Sequence, residues 1–248
     1  MNGQPFLSVV IPAYNEERRI VASLRQVLDY LAGQSYHSEV LVVDDGSSDS
    51  TAAQVAKLVA GSRILSLLRE QHRGKGHAVK AGMLAARGQY RFLCDADLSM
   101  PVEQLARFLP PQLQDYDIAI GSREAAGARR IGEPRPRHLM GRVFNLMVRW
   151  LAVPGISDTQ CGFKCFRDQA AQVLFPRQSL DGFGFDVEVL FLARKRRMKL
   201  VEVPIDWYYR SESKVRPFRH SLSMLNEVLR VRWNWWRGRY NTSSGGTL

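Results

Sequence analysis

The first half of the chain alternates two hydrophobic rhythms. Continuous apolar runs, "LSVVIPAY", "EVLVVDDG", "RILSLL" and "YRFLCDAD", are separated by stretches with helical spacing: one from about Glu16 to Leu31, one after Asp49, and one from about Gly76 to Ala86. Unbroken runs of this kind are how buried parallel strands read, and short strands alternating with helices predict a parallel sheet. The fold class expected is α/β, with a mostly parallel central sheet flanked by helices.

The second half is less regular. "YDIAIGSR" reads as one strand and "KLVEVPIDWYYR" as a single late one. Between 139 and 151, Leu139, Val143, Leu146, Met147, Trp150 and Leu151 form an apolar face opposite Arg142, Asn145 and Arg149. From 222 to 236, Leu222, Leu225, Leu229, Trp233 and Trp236 form one stripe, and Asn226, Arg230, Asn234 and Arg237 another. Basic amphipathic helices with Trp on the apolar side suit a membrane interface. The alternative for both is a core helix with a solvated basic face.

In parallel sheets, ligands collect at the carboxyl ends of the strands. The clusters "AYNEE", "DDGSSD" and "DADLS" all fall there, so three strands deliver carboxylates to one rim. Two Asp separated by one residue, Asp95 and Asp97, can turn toward one point. Mg²⁺ takes only one or two protein carboxylates and completes its shell with water and phosphate oxygens. The "DAD" therefore reads as a metal-diphosphate clamp, while "RGKGHA" offers close backbone approach at Gly74 and Gly76 beside the cationic Lys75. Other nucleotide folds fail on spacing: no third glycine completes a dinucleotide fingerprint, and no G-x-x-x-x-G precedes Lys75 as a P-loop requires.

Composition narrows the partner. A net charge of +11 points to a polyanion, and the arginines and lysines concentrate in the second half. Nucleic acid is not expected, because the acidic rim would repel its backbone. The 248 residues carry no evident linker, which suggests one catalytic domain over 1–215, including an interfacial segment at about 138–153. A basic amphipathic helix at 216–240 and a polar tail at 241–248 would follow. Neither a signal peptide nor an apolar run of spanning length is visible, so the expected location is cytoplasmic, peripheral to the cytosolic face of a membrane. Cys94, Cys161 and Cys165 are expected to be buried free thiols.

Taken together and in order, "VVIPAYNEE", "VVDDGSSDST", "RGKGHAVKAG", "DADLS" and "IAIGSR" resemble the inverting family 2 glycosyltransferases of GT-A fold over roughly residues 6–215. "DTQCGFKCF", "FGFDVEVLFLARK" and "VEVPIDWYYRSESKVRP" are most similar to the dolichyl-phosphate glucosyltransferase branch, close to the mannose synthases. The resemblance implies that Pro12, Tyr14, Glu16 and Asp45 hold the nucleoside, with Lys75 and Ala96 near the nucleotide. It implies that Asp95 and Asp97 carry Mg²⁺ or Mn²⁺ on the diphosphate. Arg123, Arg137, Arg210, Ser213 and Lys214 would bind the acceptor phosphate, with Arg135 and Arg142 as competitors.

The donor implied is UDP-glucose, alternatively GDP-mannose, and the acceptor is dolichyl or polyprenyl phosphate at an anionic membrane surface. The mannose branch commonly has Gln soon after its D-x-D, where this chain has Ser99, which favours glucose. A phosphate oxygen is already nucleophilic at neutral pH and needs no strong base. If one exists, Asp158 or Asp186 is the candidate. Asp186 and Glu188, two apart on a helix, would point in different directions, one of them to a structural cap or to a sugar contact.

Overall fold

The structure is a computed structural model that describes residues 3–134, 152–209 and 217–241, with the backbone alone for 217–225. Arg135, Arg137, Arg142, Arg210, Ser213 and Lys214, and the amphipathic stretch 138–151, lie outside the described residues.

Seven strands form the central sheet: β1 (Leu7–Ala13), β2 (Ser38–Asp44), β3 (Leu65–Arg69), β4 (Tyr90–Cys94), β5 (Ile118–Ser122), β7 (Phe163–Arg167) and β8 (Leu200–Pro204). Their order is β3-β2-β1-β4-β7-β5-β8. The pairs β1/β2, β2/β3, β1/β4 and β5/β8 are parallel, whereas β7 runs antiparallel to both β4 and β5. The sequence pattern did not announce β7. Its residues Phe163, Lys164, Cys165 and Phe166 are all buried, so a lysine interrupts the apolar run by which a buried strand is recognised. The late segment is two strands, because the chain leaves the main sheet after Pro204: β9 (Asp206–Tyr208) pairs instead with β6 (Arg129–Ile131).

Helices cover both faces. Val9 and Ile11 pack in one core with α1 (Ile20–Ala32), and Val10 in the other with α3 (Lys75–Ala85), α4 (Asp168–Leu174) and α5 (Phe185–Lys195). All three β1 side chains are fully buried, each contributing roughly 1.5–3 kcal/mol. The first helix buries Ile20, Leu24, Val27 and Leu31 at helical spacing. It begins at Ile20 rather than near Glu16, because the preceding residues form a clasp. Glu16 N–H donates to Thr51 Oγ1 (2.7 Å), at the start of α2 (Thr51–Val59), and Glu17 N–H donates to Asp49 Oδ2 (3.2 Å).

The last helix, α6 (Pro217–Trp236), adds Val228 and Val231 to the α3 side of the core. Asn234, placed by sequence in a polar stripe, is buried, while Leu229, Trp233 and Trp236 of the apolar stripe are exposed, Trp236 at 77%. The core face of this helix is thus not the one its strongest apolar stripe suggests. Cys94, Cys161 and Cys165 are buried free thiols.

Candidate active site

Chain connections diverge between β1 and β4: β2 and β3 lie on one side of β1, and β4 on the other. A crevice at the carboxyl ends opens at such a switch point. Pairing between β1 and β4 stops at Val10 and Leu93, whereas β2 accompanies β1 to Ala13. Pro12, Tyr14 and Glu16 therefore emerge where β1 has lost one neighbour, which is also how a central strand tolerates a proline. Across the gap stand Asp95, Ala96 and Asp97, directly after β4.

The DAD turn is braced from three sides. Ser23 Oγ in α1 donates to the Ala96 carbonyl oxygen (2.6 Å), and the Asp97 carboxylate takes the Ser99 N–H (2.9 Å). Lys75 Nζ lies 2.6 Å from Asp95 Oδ1. Burial by itself would depress the Lys75 ammonium, but the Asp95 and Asp186 carboxylates outweigh it and hold the group above its ordinary value. Gly162, entering β7, lies so close to the Asp95 carboxylate that a Cβ there would collide with it. Sequence reasoning missed Ser23 and Gly162, because each acts through its position against another segment.

Asp45 braces the loop that leads into α3. Its carboxylate accepts from Arg73 N–H (3.0 Å) and Gly74 N–H (3.0 Å), and His72 Nδ1 lies 2.8 Å from Oδ2 and 3.1 Å from the Asp45 carbonyl oxygen. Both His72 contacts are acceptors, so Nδ1 carries the proton. The imidazole then stacks on the Tyr14 ring, 4.1 Å between centroids and 15° from parallel. Gly46 permits this, since its φ is +67° and a Cβ would stand 2.7 Å from His72 N. Asp44, not singled out from sequence, is fully buried: Oδ1 receives Ser47 N–H (3.3 Å), and Oδ2 has no hydrogen-bond partner. A buried carboxylate oxygen left unpaired is costly, and this one is closed to solvent.

Arg123 and Asp158 meet each other. Asp158, wholly buried, accepts from Arg123 Nε (2.6 Å), Nη2 (2.8 Å) and backbone N–H (3.0 Å). Although burial would raise its pKa, the guanidinium holds it down to about 2, too low for a proton acceptor at neutral pH. Arg123, expected on the acceptor phosphate, is thus fixed by this carboxylate and lies over the Trp207 ring at 5.5 Å.

Asp186 at the start of α5 pairs with buried Lys164 of β7, 2.5 Å between Oδ1 and Nζ. Burial pushes the Asp186 carboxyl up, opposed by Lys164 and Lys75. Glu188, as the helical spacing predicts, turns elsewhere: it accepts from Ser179 N–H (3.0 Å), Leu180 N–H (2.9 Å) and Tyr240 Oη (2.6 Å).

The site thus combines a two-carboxylate turn, a lysine on one of those carboxylates and an aromatic platform, at the switch point of an α/β sheet. Residues 8–175 match Glycosyl transferase family 2. The chain is 34% identical over 253 residues to "Dolichyl-phosphate beta-glucosyltransferase" of Dictyostelium discoideum, covering 96% of this chain and 77% of that protein. The same name belongs to relatives in Mus musculus (36% identity, 94% of this chain and 77% of that one) and Saccharomyces cerevisiae (33%, 95% and 76%). The chain belongs to glycosyl transferase family 2, among its dolichyl-phosphate beta-glucosyltransferases. The GT-A fold agrees: glucosyl-3-phosphoglycerate synthase of Mycobacterium tuberculosis, solved with Mn²⁺, uridine diphosphate and glucosyl-3-phosphoglycerate, superposes with a TM-score of 0.63 at 19% identity, over 98% of this chain and 82% of that one.

Within this glycosyltransferase, the donor set after β4 fits a hard divalent cation. Asp95 and Asp97 would offer such an ion two carboxylates, a number that suits Mg²⁺ when diphosphate and water complete its shell; among the described residues no cluster of three Asp, Glu, His or Cys forms.

Proposed function

We propose that the chain transfers glucose from UDP-glucose to the phosphate of dolichyl phosphate, with inversion at the anomeric carbon. The observation that carries this reading is the Asp95-Ala96-Asp97 turn at the β1/β4 switch point, with Lys75 2.6 Å from Asp95, in a chain about one-third identical to dolichyl-phosphate beta-glucosyltransferases over nearly its whole length.

Asp95 and Asp97 hold Mg²⁺ or Mn²⁺, which supplies charge stabilisation to the departing diphosphate. Lys75 adds a second positive charge at the same place, bound before substrate arrives and so needing little reorganisation. Tyr14, stacked on His72, offers its outer face to the base. Asp45 shapes the turn that carries Lys75 and lies on the nucleoside side of it. The acceptor phosphate attacks without a strong base, in accord with Asp158 held at about 2. Asp158 therefore positions Arg123, and Arg123 presents the end of β5.

The strands β6 and β9 run parallel, with Ile131 opposite Tyr208 and Tyr209 N–H donating to the Ile131 carbonyl oxygen (2.9 Å). Both chains consequently leave this ribbon at one end, heading into the sequences that contain Arg137 and Arg210. This favours a shared acceptor-phosphate role for Arg137, Arg210, Ser213 and Lys214.

The acceptor lipid requires a membrane surface, and no described helix is long and apolar enough to cross one. Exposed Leu229, Trp233 and Trp236 border a groove of about 1100 Å³ between α5 and α6, flanked by Arg194, Lys195, Arg230 and Arg232. Tryptophan beside basic residues suits an anionic bilayer surface at its cytosolic side.

The test is a donor screen with purified protein, Mn²⁺ and dolichyl phosphate in detergent. β-Linked glucosyl lipid from UDP-glucose is expected. Product from GDP-mannose alone would move the donor assignment, and an α-linked product would exclude inversion.

A further inference from the structure

The outer helix α6 is wired to the nucleotide turn through one loop. Glu227 Oε2 accepts Gly184 N–H at 2.7 Å, Asn234 Nδ2 donates to Ser179 Oγ at 3.4 Å, and Tyr240, just past the helix, reaches Glu188, which itself holds Ser179 and Leu180. Residues 179–184 are therefore gripped from the α6 side at both ends.

The opposite side of the same loop lies against the start of α3. Arg73 Nη2 bonds Asp181 Oδ2 at 2.7 Å, and His77 N–H donates to the Asp181 carbonyl oxygen at 3.2 Å. The fit leaves no room for side chains. A Cβ at Gly74 would stand 2.6 Å from the Asp181 carbonyl oxygen, and one at Gly76 would stand 2.5 Å from that of Leu180. On the far side, a Cβ at Gly182 or Gly184 would stand 2.5 Å from a Glu227 carboxylate oxygen. The Glu227 side chain thus lies against the backbone at Gly182 and Gly184, and that loop lies backbone against backbone on the residues on either side of Lys75; close-packed contacts transmit displacement rather than absorbing it. Arg73, Gly74 and Lys75 in turn contact Asp45 and Asp95.

We infer that Glu227 is a positioning residue through which docking of α6 on an anionic bilayer tightens the Lys75 turn on the metal-nucleotide, so that the enzyme binds donor better at the membrane than in solution. This rests on the membrane reading above. The occupant of the exposed face is a bilayer because its Trp233, Trp236 and Leu229 lie among Arg194, Lys195, Arg230 and Arg232. Coupling of this kind is a difference in affinity between two states, commonly about 5- to 150-fold.

Calorimetric affinity for Mn²⁺–UDP is measured with and without vesicles of phosphatidylcholine containing phosphatidylserine, alongside co-sedimentation with the same vesicles. Wild type is expected to co-sediment and to bind Mn²⁺–UDP at least about fivefold more tightly on vesicles. Glu227→Ala should still co-sediment yet show the same affinity in both conditions. Glu227→Gln, whose amide oxygen can take the Gly184 N–H, should restore the difference. Trp233→Ala/Trp236→Ala should lose both co-sedimentation and the gain, keeping wild-type affinity in solution. Co-sedimentation of wild type without a change in affinity overturns the coupling alone, as does an unaltered gain in Glu227→Ala. Absence of co-sedimentation overturns the membrane reading and the coupling with it.

Discussion

Lys75 Nζ sits 2.6 Å from Asp95 Oδ1, so a cation from the first turn of α3 already neutralises one of the two carboxylates that follow β4. The two residues come from opposite sides of β1, and the turn that carries Lys75 is held by Asp45. This arrangement separates two roles. Asp97→Ala should abolish metal-dependent binding of UDP with little change in melting temperature, since the half-buried side chain braces its own turn through a single bond, to Ser99 N–H. Lys75→Met should weaken Mn²⁺–UDP binding by about tenfold without abolishing it, and lower kcat/KM for UDP-glucose by on the order of 10²–10³, the typical cost of removing one preorganised charge donor. Calorimetry and turnover on the same preparations check both outcomes. Full turnover in Asp97→Ala would contradict the metal assignment.

The Arg123–Asp158 pair makes a stability prediction with a definite pH sign. Asp158 is depressed to about 2 when folded, against about 3.9 for an unperturbed Asp. Its stabilisation is therefore complete above about pH 4 and is lost as pH falls toward 2. Arg123→Ala leaves a buried carboxylate uncompensated and should cost about 3–5 kcal/mol near neutral pH. That deficit should shrink on acidification, because a stranded Asp158 takes up a proton more readily. Urea unfolding at neutral and acid pH measures both, and a deficit independent of pH would show that the pair is not the source.

Much of this was legible because the informative residues act locally. The parallel strands β1 to β5 announce themselves as apolar runs, and Asp95, Asp97 and Lys75 follow from residue type and from their place after a strand or before a helix. What escaped depends on distant segments meeting. Strand β7 hides because Lys164 is buried only by virtue of Asp186, 22 residues away. Ser23 matters only because Ala96 lies above it, and the division of labour between Asp44 and Asp45 is set by which way β2 turns each side chain. The inward face of α6 is hidden for the same reason: the exposed Leu229, Trp233 and Trp236 outweigh Val228 and Val231 in any periodicity count, and Asn234 is buried because Ser179 is there to receive it.

Asp186 offers a test of whether the reaction uses a protein base. Its carboxyl is raised by burial but already committed to Lys164 at 2.5 Å, and its charge also supports Lys75. A positioning role predicts that Asp186→Asn weakens Mn²⁺–UDP binding by about tenfold while leaving the pH profile of kcat unchanged in shape. General-base catalysis would instead give a loss of about 10²–10⁴ in kcat, and an acidic limb missing from the profile, since a base is silenced by protonation at low pH. The pH dependence of kcat in both proteins decides between them.

The final prediction concerns the two aspartates at the end of β2. Asp44 is fully buried with Oδ2 unpaired, whereas Asp45 spends its carboxylate on Arg73, Gly74 and His72. The two neighbours should therefore fail differently. A buried carboxylate oxygen without a partner is costly, so a neutral amide in Asp44→Asn should leave the melting temperature unchanged or raise it. Affinity for Mn²⁺–UDP should stay within about twofold, because no ligand reaches an atom closed to solvent. In Asp45→Asn the amide cannot accept from Arg73 N–H, Gly74 N–H and His72 together, and the turn that presents Lys75 loosens. Mn²⁺–UDP should then bind at least about tenfold more weakly, the scale of one lost hydrogen bond to a charged group. Calorimetry on both variants, with thermal melts of the same preparations, measures the contrast. Lost nucleotide affinity in Asp44→Asn, with none in Asp45→Asn, would reverse the assignment.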